Sequence, residues 1–353
     1  DALELLYYSL LMGGESGRSE LITKEFKGDL AKKIAPVKGK FLSAVYAEGV
    51  FSYFDNSAYE DFMWNTAEDG EWLLSRTFGI GTLQLEHRAA PGITIRHSIG
   101  QLAKRDYYYL KDPDLKILLP DHRVRQTSYW LSPLISTRSG MNIAPVFNLT
   151  RISYETISQV SAGSGMRSQV SSYYTVENAV TGGLCLSRHA GNFDLGLSAM
   201  GTAHNLGSYY QGGASLTWYP FSNLSLYFTG GYQYKFARST SWYPIGGIAD
   251  LKAGFSLAKK VWVEMDATKG NMFFYLENGG SVLYNNTDYP VFKSSLLLTI
   301  PLNNFRTTLF IGGRFAVHHA YYAYASETDI PADYEPVSYN SYTLYSGIKW
   351  KIE

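Results

Sequence analysis

The stretch from Tyr219 to Phe236, YPFSNLSLYFTGGYQYKF, alternates between two kinds of side chain. From Asn223 onward every second residue is apolar, small or aromatic, and the residues between them are mostly polar. A period of two predicts a β-strand with two different faces. Strands of soluble proteins usually have only about 5–6 residues, and this pattern continues far beyond that length. The strand therefore needs a setting in which a long, two-faced sheet is stable.

Several segments of the C-terminal half alternate in the same way, and none carries a charge on its apolar face. The segments are 192–201, 246–258, 261–269, 305–319 and 341–353. The pattern is less regular before Val170, where the stretches Phe41–Phe54 and Trp72–His87 lose clean alternation. A chain built from such segments is all-β.

The connections between these segments alternate in length. Turn sequences predict short turns at 35–40, 89–92, 138–140, 190–191, 220–222, 259–260 and 303–304. Longer loops rich in Tyr, Asn, Asp and Ser are predicted at 238–244, 278–289 and 321–340. Short turns at one end and long loops at the other are typical of a transmembrane up-and-down antiparallel β-barrel. If both termini lie at the short-turn end, the number of predicted short turns indicates about 14–16 strands in one domain spanning 1–353.

Composition agrees with a membrane setting for the apolar face. Charged residues make up 18% of the chain, below the ~25% of an average soluble domain. No run approaches the ~20 apolar residues of a membrane helix, and in lipid the only spanning alternative is a closed barrel. The balanced charge gives no nucleic-acid signal. The single cysteine, Cys185, excludes an intrachain disulfide.

Aromatic residues gather beside the predicted short turns, as in the interfacial girdles of membrane barrels. The candidate girdle consists of Trp218, Tyr219, Trp262, Phe305 and Trp350. The alternation of its own strand places Trp262 on the inner face, which makes it the least typical member.

These strands, turns and girdles together resemble the outer-membrane β-barrels of Gram-negative bacteria, of porin-like size. The Tyr- and Asn-rich loops are similar to those of Bacteroidota barrels, whereas the ending IKWKIE lacks the usual terminal aromatic. The resemblance implies an integral outer-membrane protein with short periplasmic turns and long extracellular loops. Its partners would be the lipid bilayer with its lipopolysaccharide and small polar solutes. Further protein partners would dock at the long loops.

The polar faces of the strands predict a lumen that contains charged side chains. The candidate selectivity residues are Lys235, Asp250, Lys252, Glu264, Asp266, Lys293, Arg306, Arg314 and Lys349. Basic and acidic groups on neighbouring strands would set a field across a channel. The alternative is that these charges pair across strands and merely fill the lumen. The expected function is a porin-like passive channel for small polar solutes.

Two other function classes remain open at this stage. One is a non-conducting accessory barrel within a larger outer-membrane complex, and the loop Tyr321–Tyr342 is a candidate for docking, capping or constriction. The other is an enzyme, for which His318 and His319 with Glu327 and Asp329 form the suggestive group. Adjacent strand residues point to opposite faces, so the two histidines are not expected to act together. We expect no enzymatic activity, no cofactor and no metal site.

Overall fold

The computed structural model describes most of the barrel wall and part of the loops. The described residues are 3, 21–23, 25–28, 30, 41–56, 70–112, 115–160, 169–205, 207–222, 225–237, 246–257, 261–277, 279–283, 288–302, 306–320, 323–324 and 337–352. Within these ranges no helix is long and apolar enough to cross a membrane.

Fourteen long antiparallel strands form the wall. They are β1 (Leu42–Asp55), β2 (Gly70–Ala90), β3 (Ile93–Asp112), β4 (Leu115–Ser136), β5 (Met141–Val160), β6 (Gln169–Ala190), β7 (Phe193–His204), β8 (Gly207–Trp218), β9 (Leu226–Ala237), β10 (Gly246–Leu257), β11 (Val261–Gly270), β14 (Asp288–Leu302), β15 (Thr307–Ala320) and β17 (Val337–Lys351). Three two-residue strands lie in the loops: β12 (Leu276–Glu277), β13 (Val282–Leu283) and β16 (Ala323–Tyr324).

The sheet closes on itself because β1 pairs with both the second and the last long strand. Ala44 lies opposite Lys351 of β17, and Val45 lies opposite Leu85 of β2. Closure removes the free sheet edges that lipid does not tolerate. The predicted barrel is thus confirmed, with a strand number at the lower end of the predicted range.

The two ends of the barrel differ as predicted. The described short connections include 91–92, 137–140 and 191–192, all at the end where β1 begins and β17 finishes. Gly92 has a positive φ of 78°, which its turn requires. The turns predicted at 35–40, 259–260 and 303–304 and the loop at 238–244 lie outside the described residues, as does most of 321–340.

The outward face of the wall is apolar. Leu197, Leu251 and Leu344 expose 59%, 67% and 72% of their surface, respectively, and each faces away from the lumen. Apolar side chains exposed this fully around a closed sheet need a solvent other than water. Charged side chains on such a face would cost about 2–4 kcal/mol each at the bilayer midplane, so this belt is suited to lipid.

The wall is taller on one side than on the other. Strands β2 to β6 have 20–22 residues, whereas β7 to β11 have 10–12. Neighbouring strands are paired from their short turns onward, so the additional residues of the longer strands project beyond the loop end of the shorter strands. In this projection the segment 169–178 of β6 extends past its pairing with β7, which begins at Ala179 and His204. At the other side of the projection, β16 pairs with Gly70 and Glu71 of β2.

The residues that precede β1 contact the short-turn end. Residues 21–23 are helical, and a Cβ at Gly92 would meet the Leu21 side chain at 3.1 Å. Glu25 Oε1 lies 3.7 Å from Arg138 Nη1 in the β4–β5 turn. The described part of this N-terminal segment therefore sits beside the periplasmic turns.

Candidate functional site: the lumen and its inward hairpin

The connection between β11 and β14 folds into the barrel. We call residues 271–283 the lumen hairpin; it contains β12 and β13, which pair only at Leu276 with Leu283 and at Glu277 with Val282. Two residue pairs are too few for an isolated hairpin to be stable in water. The position of the lumen hairpin is therefore set by its contacts with the barrel wall.

Side chains of β8 and β9 hold the first half of the hairpin through its backbone. Lys235 Nζ donates to the carbonyl oxygen of Phe273 at 2.5 Å. Gln211 donates from Nε2 to the carbonyl of Leu276 at 2.8 Å, and its Oε1 accepts from the Leu276 amide at 2.9 Å. A side-chain amide that satisfies both groups of one residue imitates a strand pairing, which fixes the hairpin at this height.

The tip of the hairpin reaches the opposite wall. Trp130 Nε1 of β4 donates to the carbonyl of Gly279 at 3.3 Å, and Asn148 Nδ2 of β5 donates to that of Gly280 at 2.8 Å. These strands are far from β11 and β14 in the order of the sheet. The hairpin therefore crosses the lumen.

An apolar cluster accompanies these hydrogen bonds. Phe274 stacks on Tyr209 with ring centroids 4.0 Å apart, and Leu276 and Leu283 pack with Ala179 and Met200. Without the lumen hairpin, the wall residues of this cluster would be in contact with water in the lumen; with the hairpin docked, they are buried. Their burial favours the docked position, since apolar surface leaves water.

An ion pair ties the hairpin to β14. Lys293 Nζ lies 2.5 Å from Glu277 Oε1 and 5.6 Å from the centre of the Tyr275 ring. Lys293 is only 1% exposed. A buried ammonium group is costly unless a partner neutralises it, and the Glu277 carboxylate is the partner within ion-pair distance.

Beside the hairpin the barrel encloses a cavity of about 1060 Å³. Carboxylates outnumber basic side chains among the described residues that line it. The carboxylates belong to Glu48, Asp106, Glu177, Asp250, Glu264, Asp266 and Glu277, and the bases to Lys104, Lys252 and Arg314. Excess charge of one sign in a confined lumen raises the local concentration of ions of the other sign.

Hydrogen bonds and one weak ion pair fix the central carboxylates. Tyr227 donates its hydroxyl to Glu264, and Ser295 donates to Asp266. Lys252 Nζ lies 3.8 Å from Glu264 Oε1, with both side chains partly exposed. Such an exposed pair contributes little stability, and its groups remain accessible to ions in the cavity.

A second part of the cavity wall carries a group of apolar side chains beside its charged ones. These side chains lie on β1 to β3 and belong to Val50, Phe54, Phe78, Ile80 and Leu102. The charged wall of β10, β11 and β15 is formed by strands elsewhere in the ring. The lumen thus offers two kinds of surface to a solute.

The structure places the sequence-predicted lumen residues in three environments. Asp250, Lys252, Glu264, Asp266 and Arg314 line the cavity. Lys235 and Lys293 are buried against the lumen hairpin, with 6% and 1% of their surface exposed. Two further residues lie toward the short turns, where Lys349 Nζ is 3.4 Å from Glu86 Oε2 and Arg306 is exposed in a turn.

The predicted girdle residues also differ in their positions. Trp218 and Trp350 are 45% and 57% exposed on the outer face near the short turns. Tyr219 lies in a turn and donates its hydroxyl to Asp194 at 2.6 Å, and burial together with this bond raises the pKa of Tyr219. Trp262 shares the lumen side of β11 with Glu264, and Phe305 lies outside the described residues.

The two adjacent histidines lie on opposite faces, as expected for neighbouring strand residues. His318 is buried on the lumen side, where its Nε2 is 2.8 Å from Ser341 Oγ. His319 pairs with Ser338 on the other face. Glu327 and Asp329 lie outside the described residues.

Sequence reasoning missed the lumen hairpin and its wall partners. The run Asn278-Gly279-Gly280 between two apolar stretches is a hairpin-turn signal, and Gly279 and Gly280 adopt positive φ values of 64° and 76°. That signal locates a hairpin in the chain. It does not show that the hairpin folds into the lumen, because the side chains that hold it there, those of Trp130, Asn148 and Gln211, are distant in sequence.

The closed wall, its apolar outer face and the asymmetry of its ends define an outer-membrane β-barrel protein. No protein-family profile matches the chain, and no curated protein sequence is detectably similar to it.

Solved structures with a similar fold include the toluene transporter TodX of P. putida, with a TM-score of 0.56 and 6% identity over 88% of this chain and 90% of TodX. The deltaS2 mutant of the TodX monoaromatic hydrocarbon channel has a TM-score of 0.55 and 8% identity, over 93% of this chain and 95% of that one. At this identity the likeness concerns the fold.

Proposed function

We propose that the protein is a passive channel that lets small polar solutes cross the outer membrane. The observation that supports this function most is the charge-lined cavity of about 1060 Å³ inside a closed barrel. Carboxylates that face a water-filled internal space favour this function, because they can interact with ions and solutes that enter the lumen.

The lumen hairpin acts as the constriction of this channel. It crosses from β11 to the wall of β4 and β5, where Trp130 and Asn148 hold its tip. Its contacts are a set of hydrogen bonds, one ion pair and a small apolar cluster. A solute must pass beside this segment, so its position limits solute size.

The carboxylate excess makes the channel prefer cations and neutral polar solutes. Asp250, Glu264 and Asp266 lie together on two adjacent strands, with Lys252 as the neighbouring base. Of the basic residues predicted to counter them, Lys235 and Lys293 are buried against the hairpin. Their removal from the lumen surface leaves Arg314 and Lys252 as the nearest bases on the cavity wall.

Reconstitution tests the proposal. Purified protein in planar bilayers is expected to conduct, and liposomes that contain it are expected to swell in sugars and amino acids up to a size cutoff. Toluene should be included as an apolar solute, because TodX, which shares the fold, is a toluene transporter. A folded barrel that passes neither ions nor any solute over a range of salt and voltage contradicts the channel function.

A second candidate is a non-conducting accessory barrel. Two observations favour it: the hairpin that occupies the lumen, and the projecting wall of β2 to β6 with Tyr173 and Tyr174 exposed by 55% and 75%. Adaptable, exposed tyrosines are common at binding surfaces. Under this alternative a partner protein co-purifies in fixed stoichiometry and the isolated barrel does not conduct.

A further inference from the structure

Two tyrosines lie across glycines on the inner wall of the cavity. Tyr345 of β17 lies over Gly312 of β15, its partner in the register, where a Cβ would meet the tyrosine ring. Tyr46 of β1 lies over Gly347 of β17 in the same way, with its hydroxyl 3.2 Å from the position of such a Cβ. Both tyrosines line the cavity, so the side of each ring that does not rest on a glycine is turned toward the lumen.

Phe310 extends this aromatic surface. It lies on the same side of β15 as Gly312, and its ring meets that of Tyr46 edge to face with the centroids 5.6 Å apart. We call Tyr46, Phe310 and Tyr345 the aromatic wall; their strands β1, β15 and β17 are neighbours in the sheet. The face of an aromatic ring carries partial negative charge, so such a surface attracts a cation that comes close to it.

Two carboxylates lie beside the aromatic wall. Glu48, two residues after Tyr46, interacts electrostatically with the hydroxyl groups of both tyrosines. Asp266 of β11 interacts with Tyr345 and accepts a hydrogen bond from Ser295. Both carboxylates line the cavity and are half-buried, so they remain accessible from the lumen.

The lysines of the surrounding strands pair with other carboxylates. The pairs and their Nζ–Oε distances are Lys252 with Glu264 at 3.8 Å, Lys293 with Glu277 at 2.5 Å and Lys349 with Glu86 at 3.4 Å. Within the described part of the barrel, no basic side chain lies within ion-pair distance of Glu48 or Asp266. Arg314 is the one base that acts on Tyr345, against two carboxylates that do so. The surroundings of the aromatic wall thus carry net negative charge, which favours a cation from solution.

The aromatic wall lies on the path of a solute through the barrel. Tyr46, Glu48, Asp266 and Tyr345 are four to six residues from the short-turn ends of their strands, so they stand at one level. On β14, Ser295 follows Lys293 toward the short turn, which puts this level on the periplasmic side of the ion pair that holds the lumen hairpin. A solute that has passed the hairpin next meets the aromatic wall.

We infer that the aromatic wall, together with Glu48 and Asp266, binds organic ammonium ions, so that amino compounds are the solute class of this channel. The inference rests on the proposed function and narrows it. The methyl or methylene groups around an ammonium nitrogen contact aromatic faces while the charge is balanced by the carboxylates. Val50 follows Glu48 by two residues and pairs with Ile80, and both line the cavity, so an apolar surface for the rest of the solute adjoins the site.

Choline and dimethylbutanol, its uncharged isostere in which carbon replaces the ammonium nitrogen, test the inference. Binding of each to the full-length protein in nanodiscs is measured by saturation-transfer NMR, with empty nanodiscs as the background. The wild type is expected to bind choline about 10-fold more tightly than the isostere. Tyr345→Leu should weaken choline binding about 3- to 10-fold, whereas Tyr345→Phe keeps the ring and should change it less than about 2-fold.

Carboxylate variants provide a second readout that does not alter the aromatic rings. Glu48→Gln and Asp266→Asn should each weaken choline binding about 3- to 10-fold, because each removes one of the two charges beside the site. Glu177→Gln is the matched control: Glu177 lines the same cavity from β6, on the opposite side of the barrel. This variant should leave the Kd for choline within about 2-fold of the wild-type value.

The inference is overturned if folded Tyr345→Leu and Glu48→Gln bind choline as the wild type does, or if the isostere binds as tightly as choline. Absence of choline binding to the wild type overturns it as well. Conductance separates this result from the proposed function. A barrel that conducts potassium ions without binding choline keeps the channel function and loses the solute class, whereas a barrel that binds choline without any current keeps the site and loses the channel.

Discussion

Replacing Glu277 by glutamine is expected to release the lumen hairpin from the barrel wall. The substitution keeps the size of the side chain and removes the negative charge that lies 2.5 Å from Lys293 Nζ. Lys293 is 1% exposed and cannot turn to water while the hairpin stays docked. In the variant, the docked state must hold an ammonium group without its partner carboxylate.

The size of this effect follows from the burial of the two groups. Removing one partner of a fully buried ion pair typically costs about 3–5 kcal/mol. The Glu277 side chain retains 17% exposure, so water screens the pair in part and we expect about 2–3 kcal/mol. That range corresponds to a roughly 30- to 150-fold increase in the undocked fraction of the hairpin.

Amide hydrogen exchange measured by mass spectrometry reports this fraction. The Leu276 amide donates to Gln211, the Tyr275 amide to the carbonyl of Met272, and the Gly280 amide to the carbonyl of Glu277. These amides exchange when the hairpin undocks or frays. Their exchange should therefore be roughly 30- to 150-fold faster in Glu277→Gln than in the wild type.

Glu264→Gln is the matched control, because it removes a lumen carboxylate that is held by Tyr227 and is not part of the hairpin. If exchange in Glu277→Gln equals that in Glu264→Gln, the ion pair does not hold the hairpin, and the reasoning from burial is refuted.

Three further predictions concern the position of the lumen hairpin, the ion selectivity of the channel and the outward face of the barrel wall. A Cβ at Gly279 would lie 3.9 Å from Cys185 Sγ, so Gly279→Cys should form a disulfide that fixes the hairpin. Current fluctuations of this variant should then differ between its oxidised and reduced forms. The Gly279→Ser control cannot form the disulfide, so its current fluctuations should be the same under both conditions. Asp266→Asn should lower the preference for cations, which the shift of the reversal potential in a salt gradient measures. Leu251→Arg should impair folding into liposomes by about 2–4 kcal/mol, whereas Ser256→Arg on the lumen face of the same strand should not, as titration with denaturant would show.

The sequence predicts the C-terminal half of the barrel well because each strand there faces two solvents. Leu195 and Leu197 of β7 meet lipid while Gly196 and Ser198 face the cavity, so alternation follows directly from the environment. No distant residue is needed to read such a pattern. The outward face, the turns and the loop asymmetry all follow from it.

The N-terminal half is harder to predict because its strands contain irregularities. The register shifts between Ser75 and Thr77, and again between Asp106 and Tyr108. Each inserted residue exchanges the inner and outer positions beyond it, which destroys a period of two across the segment. In the stretch 72–87 the shift at Ser75 disturbs the start of the pattern, and beyond it both faces carry apolar residues, since Phe78 and Ile80 line the cavity while Leu83 faces outward.

The candidate site was predictable only in part. Asp250, Glu264 and Asp266 face the cavity because of local alternation, and the sequence places them there. The environments of Lys235 and Lys293 depend on a hairpin held by Gln211 and Glu277. Such contacts join parts of the chain that are distant in sequence, so no local pattern reveals them.

The reversal potential of the wild-type channel in a KCl gradient tests the central claim most directly. The account predicts a single class of channel whose reversal potential has the sign of a cation preference, because carboxylates dominate the cavity wall. Neutralising Asp250 and Asp266 should move that potential toward zero. A potential of the opposite sign, or a folded barrel without current, would contradict the account.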